Sequence, residues 1–315
     1  MTIWMRIVIS LFFLTICTCA IAQTSSPIGL HTAQIEKIIN IKGTLNKQAK
    51  YFKISMPRDD LDIHINGAII TPAMGLTSSV VFKNNDDIIQ VTGDLVLTED
   101  QINPVIDTVL NNNLRVTMLH SHFLWESPRV MYLHIEGEGS ERALATAIKN
   151  IFAEIKSTND GNGSFPIANI DPAESQLNTQ TISKILGLKG ILKDGTYKID
   201  IHQSEISDEN SWAAFTGSDQ QAVVYGNVNV SADNFKQVFK AFNKVDINVM
   251  SIHQNTTAED DEPTFSIYYW GVGNTATLAK GLRIALLIHK KPSYKFTGAL
   301  EACPRYILRV GQFII

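Results

Sequence analysis

The chain has 315 residues, 44% of them hydrophobic, with 27 Lys and Arg against 31 Asp and Glu and a net charge of −4 at pH 7. That length exceeds one average domain and supplies apolar material for two modest cores. The mild acidity, without a basic patch, argues against nucleic acid as a partner.

Residues 1–22 read as a secretory signal peptide. Met1 to Arg6 carries positive charge, Ile7 to Cys19 is apolar, and Ala20-Ile21-Ala22 is a small-x-small cleavage pattern before Gln23. The apolar run is shorter than the roughly 20 residues of a membrane span. The sequence therefore predicts a periplasmic or secreted mature chain with no transmembrane segment. Lipoprotein anchoring fits less well, because Ile16 and Thr18 precede the two candidate cysteines. Cleavage removes Cys17 and Cys19 and leaves Cys303, which excludes an intrachain disulfide.

The rest of the chain is written twice. Ile35-Glu-Lys-Ile-Ile-Asn-Ile-Lys-Gly43 matches Ile182-Ser-Lys-Ile-Leu-Gly-Leu-Lys-Gly190. Leu114-Arg-Val-Thr-Met-Leu-His120 matches Ile247-Asn-Val-Met-Ser-Ile-His253, and Gly93 matches Gly226. The first repeat spans 23–156 and the second, degenerate one spans 181–289. Residues 157–180, rich in Gly, Pro, Ser and Asn, form the linker, and 290–315 is a tail outside the repeat.

Each repeat opens with a short amphipathic helix, over Thr32–Ile39 and Thr181–Leu186. Strands around the Lys-Gly follow, then two more that end at Val96 and Val230. Thr98-Glu-Asp-Gln101 is a capping box, and Ile102, Val105, Ile106, Val109 and Leu110 recur at helical spacing. A strand, a polar turn, a further strand and a closing helix complete the unit. This order predicts an α+β fold: two tandem repeats of a mixed, mainly antiparallel sheet with helices on one face. The arrangement is the split core of ferredoxin-like proteins, with the repeats in a pseudo-twofold arrangement.

Chemistry concentrates in the stretch from His120 to His134. His120 and His122 share a strand face, with Val116 and Met118 as apolar face-mates, and Glu126 follows within a turn. Two imidazoles and a carboxylate in a His-x-His-x3-Glu spacing suit a divalent transition metal, zinc before others. Glu126 is the candidate catalytic acid-base, and Arg129 can hold Glu126 or receive an anionic ligand. A simple hairpin sets His134 opposite Thr117, about 10 Å down the strand from His120 and too far for a shared ion unless a bulge or longer loop intervenes. In the second repeat His253 keeps the place of His120, and Tyr269 is aligned with His134. Asp260, Asp261 and Glu262 of the following turn are candidates to face an ion, though an acidic turn is more often simply solvated, and His253 or Glu262 completes the site if the repeats face each other.

Gly93-Asp-Leu-Val-Leu-Thr-Glu-Asp-Gln-Ile-Asn-Pro-Val105, Val116-Thr-Met-Leu-His-Ser-His122, Glu126-Ser-Pro-Arg129 and Tyr269-Trp-Gly-Val-Gly273 resemble the LppY/LpqO family. Its members are exported bacterial proteins built on a domain of unknown function, number 1259. The resemblance spans nearly the whole mature chain and implies an envelope or periplasmic setting, with no activity attached.

The leading expectation is an exported protein that binds a divalent metal or small ligand through His120, His122 and Glu126. A metal-dependent hydrolase using the same residues is the first alternative. A non-catalytic envelope interaction protein with a structural histidine cluster is the second.

Overall fold

The computed structural model describes residues 29–85, 88–158, 167–201, 211–255 and 263–289. The expected signal peptide, the acidic turn residues Asp260, Asp261 and Glu262, and the tail lie outside the described residues. Two compact units divide at Gly163 and Ser164, apart from the short stretch Thr117–His120. No helix among the described residues is long and apolar enough to cross a membrane.

The first unit runs α1 (Thr32–Ile39), β1 (Gly43–Asn46), β2 (Tyr51–Pro57), β3 (Ile63–Ile65), β4 (Ala68–Ile70), β5 (Thr77–Asn85) and β6 (Ile88–Thr98). It continues with α2 (Ile102–Asn111), β7 (Arg115–His120), β8 (Glu126–Ser127), β9 (Val130–Gly139) and α3 (Glu141–Ser157). Its main strands lie in the order β1-β2-β5-β6-β9-β7, and a small second sheet has the order β4-β3-β8. The pairs from β1 to β9 in that order are antiparallel.

The second unit runs α4 (Thr179–Leu186), β10 (Ile191–Lys193), β11 (Thr196–Ile201), β12 (Ser211–Gly217) and β13 (Ala222–Ser231). Then come α5 (Ala232–Asn243), β14 (Ile247–Asn255), β15 (Thr264–Gly273) and α6 (Thr275–His289). Its strand order, β14-β15-β13-β12-β11-β10, matches that of the first unit element for element.

The helices start where side chains can satisfy their first N–H groups. Ser140 Oγ accepts from Ala143 N at the head of α3, and Asn178 Oδ1 accepts from Thr181 N at the head of α4. The capping box Thr98–Gln101 is present, on a 3₁₀ turn that leads into α2. Gln101 is fully buried, and its carboxamide does more than cap. It accepts from Thr98 N and from the Arg58 guanidinium, and it donates to Ile155 O. Arg58 is itself buried, chelating Asp60 and donating to Val96 O, so its charge is paired as burial demands.

Alternation along the strands sorts two faces. Leu133, Ile135 and Gly137 of β9 are buried toward the helices, and a β-carbon on Gly139 would touch Leu144 of α3. In the second unit Tyr269 packs on Phe242 of α5, and Phe265 packs on Phe235. On the other face of the first unit the small sheet closes a separate apolar cluster, with Ile63, Ile70 and Leu76 against Val96, Val130 and Tyr132.

The matched glycines Gly93 and Gly226 face the helices. A β-carbon at Gly93 would meet Ile135 Cγ1 at 2.8 Å and Val80 Cγ1 at 2.9 Å, flexible side-chain ends that can yield. At Gly226 it would strike Trp212 O and the Tyr269 hydroxyl, which donates to that same carbonyl at 3.1 Å. Gly226→Ala is expected to destabilise by about 1–3 kcal/mol, and by more than Gly93→Ala. Thermal unfolding of the two variants side by side checks this, and an equal loss would contradict it.

Candidate metal centre

The site depends on a break in strand alternation. Strand β14 pairs Val249 with Tyr269 and then Ser251 with Tyr268, so Met250 is an inserted residue, a β-bulge. Before the bulge Ile247 and Val249 are buried; after it Ile252 is buried, and Ser251 and His253 turn to the opposite face. Strand β7 shows the same break. Val116 and Leu119, three apart, are buried, while Met118 is 37% exposed and His120 half-buried. The expectation that Val116 and Met118 are joint apolar face-mates of His120 is thereby corrected. His120 lies on the face away from the helices.

The same slip corrects the distance to His134. In the second repeat His253 pairs with Ser266 and Ser251 with Tyr268. Carried to the first repeat, that register sets His120 beside Tyr132, two residue steps from His134 and on its face. The simple hairpin counted three steps and opposite faces. The nitrogens of His120, His122 and His134 lie within 4.8 Å of one another, a group that could hold a metal ion. In a tetrahedral zinc site the nitrogens stand about 3.3 Å apart, so small ring rotations close this group onto an ion.

The surroundings prepare the imidazoles. Asp94, the register partner of His134, places Oδ1 3.8 Å from His134 Nε2. The His122 ring stacks on Tyr132 with centroids 3.5 Å apart and planes at 14°. Burial against that ring lowers the His122 pKa. The Asp94 charge opposes the shift and His134 adds to it. The neutral imidazole, the form that binds metals, is therefore favoured at pH 7. Tyr132 donates to Gly75 O at 3.0 Å. Burial, then the charges of Asp94 and Glu126, push its phenol up to about 12.

Glu126 sits on β8 beside Ile65, with its side chain buried. Neither carboxylate oxygen has a hydrogen-bond partner among the described residues, and Arg129 Nε stands 3.9 Å from Oε1. The group that could hold a metal contains the three histidines and not Glu126. Arg129 is mostly exposed. In the second repeat the pairing of Asn227 with Tyr268 makes Tyr268, not Tyr269, the counterpart of His134, and Asn227 the counterpart of Asp94. His253 Nε2 lies 2.7 Å from Ser251 Oγ. Sequence reasoning missed Asp94 and Tyr132. The Gly93-Asp94 pair beside the Gly226-Asn227 pair was the available signal.

The fold and this site define an α+β protein of two repeats with a three-histidine group in the first repeat. The chain belongs to the family described as Domain of Unknown Function (DUF1259), which matches residues 33–154 and 180–287. No curated protein matches its sequence. A solved structure described as a trimeric bacterial microcompartment shell protein PduB is similar over 78% of this chain and 89% of its own. The identity there is 8% and the TM-score 0.19, too low to carry an argument.

Two titrations test the electrostatics. The His122 ring protons should titrate below the ordinary value of about 6.5. Because folding favours the neutral ring, stability should rise with pH through the window just below that value. The Tyr132 phenol, neutral in the fold, contributes stability that is fully present below about pH 10 and lost as pH rises through about 12. Because the chain has eight tyrosines, the readout is a difference: Tyr132→Phe should remove one phenol's share of the absorbance rise near pH 12, and a loss of that share near pH 10 instead would contradict the burial argument.

Proposed function

We propose that this is an exported protein whose first repeat binds a divalent transition metal, zinc before others, through His120, His122 and His134. The observation that carries the reading is the convergence of three imidazoles within 4.8 Å on one sheet face. Three histidines with a position left for water or substrate are a common zinc donor set. Asp94 orients His134 from the second sphere, as carboxylates do for ligating histidines, and the Tyr132 ring holds His122 in plane. Export rests on the N-terminal signal pattern and the LppY/LpqO resemblance. The strand order, with β9 between β6 and β7, supports reading each unit as a ferredoxin-like split core.

One observation favours a hydrolytic reading of the same centre: Glu126 is buried with both oxygens lacking a hydrogen-bond partner. Such a carboxylate suits a proton acceptor for a metal-bound water. Glu126→Gln should then keep the metal and lose ester hydrolysis.

The mature protein should retain about one zinc per chain by elemental analysis. Calorimetry on stripped protein should show each of His120→Ala, His122→Ala and His134→Ala weakening zinc binding at least about 100-fold, and Asp94→Asn by about 10–100-fold. Unchanged zinc content in the triple histidine variant would sink the proposal.

A further inference from the structure

At the place where the first repeat carries its imidazoles, the second repeat carries a cavity of about 460 Å³. The sequence match of His253 with His120 sets Asn255 at the place of His122, and the pairing registers equate Tyr268 with His134. The donor set has changed character. Among the described residues that line this cavity there is no carboxylate, lysine or arginine, and one imidazole remains of three.

One wall is aromatic. Tyr225 and Trp270 pair across β13 and β15 with centroids 6.3 Å apart and planes at 53°, and they are 40% and 37% exposed. Trp212 braces Tyr225 edge-on at 5.2 Å. The other end of the lining, along the same three paired strands, is polar and neutral. Ser251 Oγ is 2.7 Å from His253 Nε2, and Asn255 Nδ2 donates to Ser266 Oγ at 3.1 Å. Ser266 Oγ in turn donates to Asn229 Oδ1 at 2.6 Å, which fixes the wall from behind. Beside Tyr268, the buried carboxamide of Asn227 has no hydrogen-bond partner at either end.

A ligand lying along these strands meets apolar rings at one end and neutral donors and acceptors at the other. Among the described lining residues an anion finds no cation, and a metal finds one imidazole. A purely apolar ligand leaves the hydrogen-bonding capacity of the serine, histidine and asparagine groups unused. A neutral sugar ring suits both ends, with its C–H face on the aromatics and its hydroxyl edge on the amide, imidazole and hydroxyls. The volume lies within the range of small-molecule sites. We infer that the second repeat binds a neutral saccharide ring, with Tyr225 and Trp270 as the stacking platform and His253 and Asn255 as the polar edge. This site stands independently of the metal centre.

The test is saturation-transfer NMR on the mature protein with glucose, N-acetylglucosamine, cellobiose and chitobiose as probes. At least one should receive saturation on its ring protons. Trp270→Ala and Asn255→Leu, each checked for folding by circular dichroism, should weaken that probe at least 10-fold, while the His120→Ala/His134→Ala variant binds as the parent does. Glucuronate should bind more weakly than glucose. Absence of transfer to all four probes overturns the inference, as does undiminished binding in folded Asn255→Leu.

Discussion

One inserted residue decides which side of the sheet this protein uses. Side chains on a strand alternate with period two, so a single extra residue moves everything beyond it to the other face. Met250 is that residue in β14, and β7 shows the same break between Val116 and Leu119. Without it His120 would point among the helices, where an imidazole would be buried in apolar surroundings. With it, His120 and His134 share a face, and His122 reaches the same spot just past the strand end. The hydrophobic pattern enforces the break, because Val116 and Leu119 are both in the core and both must face the helices.

The first unit then builds on that face. The small sheet β4-β3-β8 covers Val96, Val130 and Tyr132 with Ile63, Ile70 and Leu76. This apolar lid buries the Tyr132 ring, and the ring supports His122. Glu126 arrives on the last strand of the same lid, which explains how a carboxylate comes to be buried at the margin of a histidine cluster. The lid is anchored from the other direction by Arg58, whose guanidinium ties Asp60 to Val96 O and to the Gln101 carboxamide.

Duplication has held the frame and let the donors diverge. The matched glycines, the break in burial along the histidine strand and the strand order are common to both units. Asp94 has become Asn227, His134 has become Tyr268 and His122 has become Asn255. Each change removes a charge or a metal-binding lone pair and leaves a neutral hydrogen-bonding group or an aromatic ring. A frame set by backbone pairing and apolar burial tolerates such changes because they fall on the face that the core does not use.

The sequence alone determined the repeat, the opening helix at Thr32, the capping box at Thr98, the glycine pair and the stretch in which chemistry concentrates. These follow from local periodicity, capping and self-similarity, which need no knowledge of pairing. Alternation by itself placed His120 with Val116 and set His134 apart, because a bulge leaves no local mark: Met118 and Leu119 are equally apolar, and only packing chooses which is buried. Asp94 and Tyr132 stayed hidden because they reach the histidines across strand pairs, not along the chain. The tertiary structure alone decided the company His120 keeps, since register is a property of two strands and cannot be read from one.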